Sequence, residues 1–141
     1  SFMTLMQIVG LVGTSFLGDR INKRSIVITC MMLHAIGMLL LSYAHNLWMV
    51  IGFAAFHGIA WGSRGPLMQA IRADYFGTSH FGSIMGWSSM IVMLGMAFGP
   101  VYAGYIADHT GSYQAAFTSL AGAALIGAIF FLLAKQPYRT K

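Results

Sequence analysis

Five apolar runs, parted only by short polar gaps, leave this chain very little choice of fold. A helix needs about 20 apolar residues to cross the hydrocarbon of a bilayer. The runs lie near that length, at residues 2–17 (cut short at its start), 26–44, 47–70, 81–106 and 113–134. The gaps between them are too short to let the chain wander, so each helix must return antiparallel beside its neighbour. An all-α membrane protein of five transmembrane helices is therefore the predicted fold class. Composition agrees: 57% of the residues are hydrophobic and 8% are charged, where a soluble domain carries about 25% charged residues. A water-facing surface cannot be built from so few charges. Glycine, at 17 residues, is also abundant, as suits helices whose backbones approach closely in lipid.

The formal charge of +5 does not point to nucleic acid, because every Lys and Arg except Arg64 lies in the gaps and the tail. Arg20, Lys23 and Arg24 occupy the first gap, Arg72 the third, and Lys135, Arg139 and Lys141 the C-terminal tail. The second and fourth gaps hold no Lys or Arg. Positive charge collects on the cytoplasmic side of a membrane protein. Five crossings put all the basic segments on one side, so the first gap, the third gap and the C-terminus are expected to be cytoplasmic. The single cysteine, Cys30, excludes an intrachain disulfide framework and a cysteine-based zinc site. Arg20 follows an apolar stretch rather than preceding one, so no signal peptide is expected. The start at Ser1, already inside an apolar run, is what a fragment of a longer protein would show.

Three groups of residues carry chemistry. The first gap, 18–25, places Asp19 and Arg20 ahead of Lys23 and Arg24, with Asn22 between them. An Asp there can accept hydrogen bonds at a neighbouring helix N-terminus, whose dipole favours an anion. An Arg can hold a carboxylate on another helix end in a bidentate pair. Asp74, at the end of the third run, is the obvious carboxylate. Asp19, Arg20, Arg24 and Asp74 thus read as a cytoplasmic latch. The alternative is a helix end whose cations only set topology.

The second group is Gly95, Gly99, Pro100 and Gly104 in the fourth run. Glycines four apart make a smooth face for helix packing, and a proline removes one backbone hydrogen bond and bends the helix. The face serves either gating or ordinary packing. The third group is His57, Trp61 and Arg64 in the third run. Offsets of four and seven put them on one helical face. Ionisable residues inside the membrane are costly and turn toward a cavity or a protein partner. His57 is roughly 15 Å from either end of its run, near the midplane where carriers hold substrate. Arg64 would attract an anion such as a carboxylate, or would snorkel to the surface. His57 reads alternatively as a histidine hydrogen-bonded to a neighbouring helix. Cys30 and His34 are four apart, but two ligands without a third do not make a metal site. Ser112, in the polar fourth gap, is the expected N-cap of the last helix.

The first gap resembles the cytoplasmic-loop signature of the major facilitator superfamily, G-x-x-x-D-R-x-G-R-R, with Asn22 where glycine is usual. Asn and Gly both tolerate positive φ, so the turn survives. The order of features is similar to helices eight to twelve of such a carrier. The stretches 64–67, 72–77 and 111–113 look like those of bacterial members related to oxalate/formate and monocarboxylate carriers. The resemblance implies a partial C-terminal bundle of a twelve-helix, two-bundle protein working by alternating access. Its N-terminal bundle would be a partner outside this chain. The third run would be the tenth helix and line the cavity, and the second and fifth would be peripheral. An inner-membrane location in a bacterium follows from the same likeness.

The expected function is transport of small organic anions by a secondary carrier, with no cofactor and no metal. Arg64 would attract the substrate's charge, and His57 and Trp61 would line its pocket. The acids are Asp19, Asp74 and Asp108, all in gaps, so no carboxylate within the runs is available for proton coupling. A non-transporting membrane scaffold is the alternative. A membrane enzyme is disfavoured, because no nucleophile–base pair or paired carboxylates occur in the runs. In the complete protein, Asp19→Asn or Asp74→Asn is expected to cut transport without cutting expression. Uptake unchanged by both substitutions would reject the latch.

Overall fold

The computed structural model describes residues 1–17, 21–77 and 79–134. Five α-helices follow one another: α1 (Phe2–Leu17), α2 (Lys23–Ser42), α3 (Leu47–Phe76), α4 (Phe81–Thr110) and α5 (Gln114–Leu133). No strand occurs among the described residues. Asp19 and Arg20 of the expected latch, and the basic tail from Lys135, lie outside the described residues.

The helix ends are set by side chains that satisfy backbone groups left over at each terminus. Asn46 begins α3 by accepting from the Met49 N–H at 3.0 Å, an N-cap in extended conformation. Asn22 precedes α2 and accepts from the Arg24 N–H at 3.1 Å. Gly77 and Gly111 close α3 and α4 with φ of 73° and 71°, a conformation that costs glycine little. Ser112 accepts from the Gln114 N–H at 3.1 Å and so serves the start of α5 from one residue before its N-cap, Tyr113.

α2, α4 and α5 are long and apolar enough to cross a membrane. α1 is apolar but shorter, at 16 residues. α3 has 30 residues, about 45 Å of helix, against roughly 30 Å of hydrocarbon. The tight turn after α2 fixes where α3 starts, so its surplus length falls at the C-terminal end. Arg72 and Asp74 therefore sit on helix, where hydropathy alone suggests a loop. Both internal prolines, Pro66 in α3 and Pro100 in α4, are accommodated within continuous helix.

α3 is the hub: α1 packs along it, α2 packs along it, and α4 touches it lightly. α2 also packs against α5. The buried residues are mostly small, among them Ala35, Ala60, Ala116, Ala121 and Ala128. Helices in lipid associate through close fit rather than through hydrophobic burial, and small residues permit that fit. The larger core group is Val27, Cys30, Ala60 and Leu67, flanked by Met31, Met68 and Phe131 where α2, α3 and α5 meet. Outward, α4 presents Trp87, Met93 and Phe98 at 68%, 69% and 69% exposure. So large an apolar surface belongs against lipid or further helices.

The tightest approach is between α1 and α3. A methyl group added at Gly10 would strike the Ile59 backbone, and one at Gly62 would strike the Gln7 backbone. A methyl at Gly58 would come within 2.8 Å of the Met3 carbonyl oxygen and the Met6 Cβ. Ser63, buried at 4% exposure, donates toward the Gly10 carbonyl at 3.1 Å across this contact. Gly58 and Gly62 are four apart, the spacing that lets two helices touch backbone to backbone. The glycines singled out in α4 behave differently within this chain. Gly95, Gly99 and Gly104 each have open space beside them, so that face is available to helices from elsewhere. Gly62→Ala in the complete protein is expected to lower stability in detergent by about 1–3 kcal/mol, the usual cost of overpacking. An unchanged melting temperature would show that α1 can retreat freely.

Candidate functional site

α3 carries His57, Trp61 and Arg64 on successive turns, and the structure brings the three side chains together. The His57 and Trp61 rings are stacked with centroids 6.1 Å apart. The Arg64 guanidinium carbon lies 5.6 Å from the Trp61 ring centroid. That contact is a cation–π arrangement, worth about 0.5–1 kcal/mol at an exposed site. Phe53 extends the stack one turn further, with its centroid 5.1 Å from that of His57.

His34 of α2 joins this group. Its ring centroid is 4.3 Å from that of His57 and 6.3 Å from that of Trp61. The sequence held the signal. In a tightly turned antiparallel hairpin, residues equidistant from the turn meet, and His34 and His57 are equidistant from the centre of the turn at His45 and Asn46. Reading α2 as merely peripheral hides this, because a helix at the edge of a bundle still has one face against its neighbour. The His57 Nδ1 atom is buried and has no hydrogen-bond partner. An imidazole nitrogen left so is costly in a protein interior, and such groups gather where a ligand or water can complete them.

Two cavities meet at Arg64. One, of about 210 Å³, lies between α2, α3 and α5 and is bordered by Cys30, His34, Arg64, Leu67, Ala124 and Phe131. The other, of about 340 Å³, is an open groove between α3 and α4. Trp61, Arg64, Gln69 and Arg72 form its α3 wall, and Met85, Ser89, Met93 and Met96 its α4 wall. Cation, aromatic and thioether surfaces therefore share one groove. Among the described residues, no three His, Cys, Asp or Glu side chains come together in a way that could hold a metal ion.

The charged end of the bundle is arranged around the start of α2. The Lys23 Nζ donates to the Asp74 Oδ2 at 2.8 Å, an ion pair in which the side chains are 37% and 40% exposed. Arg24 turns the other way, donating from Nε to the Phe131 carbonyl at 2.8 Å and from Nη2 to the Leu132 carbonyl. These are the last carbonyls of α5, and a cation at a helix C-terminus is favoured by the helix dipole. Asp74 thus meets Lys23, while Arg24 clasps α5. At the opposite end of the same pair, the Ser42 hydroxyl donates to the Gln114 carbonyl at 2.9 Å and lies 2.8 Å from the Thr118 hydroxyl. α2 and α5 are tied at both ends. α4 is joined to α5 by the Tyr102 and Ser119 hydroxyls, 2.9 Å apart.

Comparison with known proteins bears on this arrangement. Residues 1–141 match the family model described as Major Facilitator Superfamily. Monocarboxylate transporter 2 of Rattus norvegicus is 30% identical over 126 residues, which cover 89% of this chain and 25% of that protein. The chain thus spans about a quarter of the length of the curated relative it matches. A family match from the first residue to the last, on a chain of apolar helices gathered around one polar helix, establishes that the protein belongs to the Major Facilitator Superfamily.

Proposed function

We propose that the complete protein is a secondary carrier for small organic anions and works by alternating access, with this chain supplying part of its C-terminal bundle. The observation that carries the reading is Arg64 on α3, stacked over Trp61 at the meeting point of two cavities. A guanidinium in a bilayer is costly unless it faces a cavity or a partner. Its planar fork suits a carboxylate better than an ammonium does. The similarity to a monocarboxylate transporter favours a substrate with one carboxylate. His57 and Trp61 would wall the pocket, and His34 would complete it from α2. The exposed α4 face with Gly95, Gly99, Pro100 and Gly104 would pack and bend against helices of the rest of the carrier, including its N-terminal bundle.

The Lys23–Asp74 pair is the natural centre of a latch on the cytoplasmic side, with Arg24 anchoring α2 to α5 and Asp19 and Arg20 contributing from just before it in sequence. The half-exposed pair is worth no more than about 1 kcal/mol. That is enough to shift a two-state equilibrium several-fold without endangering the fold. The concentration of Lys and Arg at this end supports a cytoplasmic orientation for it and for the C-terminus. The likeness of the stretches 64–67, 72–77 and 111–113 to bacterial carriers supports an inner-membrane setting.

Arg64→Lys keeps the charge but loses the fork, and is expected to raise KM for a carboxylate about tenfold. Arg64→Ala is expected to abolish saturable uptake. A carrier that takes up a neutral substrate equally well with Arg64→Ala would refute the anion reading. For the latch, Lys23→Gln and Asp74→Asn should each change transport turnover, and the double variant should be no worse than either. Additive losses in that double-mutant cycle would show that the two residues act separately.

A further inference from the structure

The α3–α4 groove holds a second arginine that the anion site does not need. Arg72 is two turns beyond Arg64 on the same helix, about 12 Å along the axis, and both line the groove. Among the described residues neither has a carboxylate partner, since Asp74 is paired with Lys23. Each is held instead by a soft contact. Arg64 rests on the Trp61 ring, and Arg72 donates from Nη1 to the Met85 thioether sulfur at 3.1 Å. Sulfur is a weak acceptor, and a guanidinium has five N–H donors to satisfy. A carboxylate offers a far stronger bond than either resting contact. Between the two cations the walls carry Gln69, Ser89 and the adaptable side chains of Met68, Met85 and Met93.

We infer that Arg64 and Arg72 are successive stations for one carboxylate group, with Arg72 as the station at the mouth of the groove. The inference rests on the reading of Arg64 as the substrate's anchor. An anion leaving Arg64 has to travel about 12 Å between walls whose uncharged polar side chains are Gln69 and Ser89, where an unpaired charge is costly. A second cation at the end of that stretch lowers the cost of the passage. Paired sites also let an ion bind firmly enough to enter and loosely enough to leave. The methionine floor accommodates a short apolar body between the two positions, which suits an aliphatic monocarboxylate.

The test uses the complete carrier in proteoliposomes and in detergent, with butyrate as the probe and succinate as a two-headed comparison. Arg72→Gln is expected to lower butyrate turnover at saturation about tenfold, the worth of one charge-assisted hydrogen bond. Equilibrium binding of butyrate should stay within about twofold, and Arg72→Lys should restore much of the turnover. Retained binding also shows that the variant is folded. Turnover unchanged in Arg72→Gln overturns the second station. So does a loss of binding equal to that of Arg64→Ala and confined to succinate, which would make the two arginines one site for a dicarboxylate. No butyrate binding by the unmodified carrier, or binding indifferent to Arg64→Ala, rejects the anion site itself and the second station with it.

Discussion

α3 carries a histidine, two arginines and a glutamine along a helix that must stand among apolar neighbours, and the rest of the bundle is arranged to make that tolerable. Polar side chains in hydrocarbon are costly, so the helix that bears them has to be enclosed. α1 encloses one side through Gly10, Gly58 and Gly62, where backbone meets backbone and Ser63 reaches across. α2 encloses another through His34 against His57 and through the small core around Cys30 and Ala60. The side toward α4 is left open as a groove, and it is there that Arg64 and Arg72 gather. The polar residues and the open groove are two aspects of one constraint. Charge in this helix is affordable only where the wall is incomplete.

The same economy governs the ends of the helices. α2 is fastened to α5 by Arg24 on the terminal carbonyls at one end and by Ser42 on Gln114 and Thr118 at the other. The Arg24 bonds use carbonyls that the C-terminus of α5 leaves unsatisfied, whereas Ser42 shares an already helical carbonyl and meets a hydroxyl. Lys23 then connects that pair to the end of α3 through Asp74. α2 and α5 form one packed pair, and its link to α3 at this end is a partly exposed ion pair.

Much of this could be read in advance, and the unread parts have specific physical causes. His57, Trp61 and Arg64 share a face because helical spacing puts them there, and that periodicity is local. His34 depends on register across a turn, which is visible only once the α2–α3 hairpin is treated as a pair. The close-packing glycines are a sharper case. Spacing of four occurs both in α4 and at Gly58 and Gly62, and no local signal says which set faces another helix inside this chain. Arg24 and Lys23 are neighbours in sequence with the same charge, yet they serve different helices. Successive helical residues point about 100° apart, and which direction holds a carboxylate and which holds a helix end is decided by the surrounding bundle.

The sequence by itself determined that the chain is helical, that it lives in a membrane and to which family it belongs. Those properties follow from hydropathy, from the distribution of Lys and Arg and from a loop motif, all of them sums over local residues. Only the tertiary structure decided which glycines bring helices into contact, that Asp74 meets Lys23, that His34 stands beside His57, and that Arg64 and Arg72 line one groove. Each of those is a relation between residues on different helices or across a shared cavity. Such relations are set by how whole helices pack, which no single segment encodes.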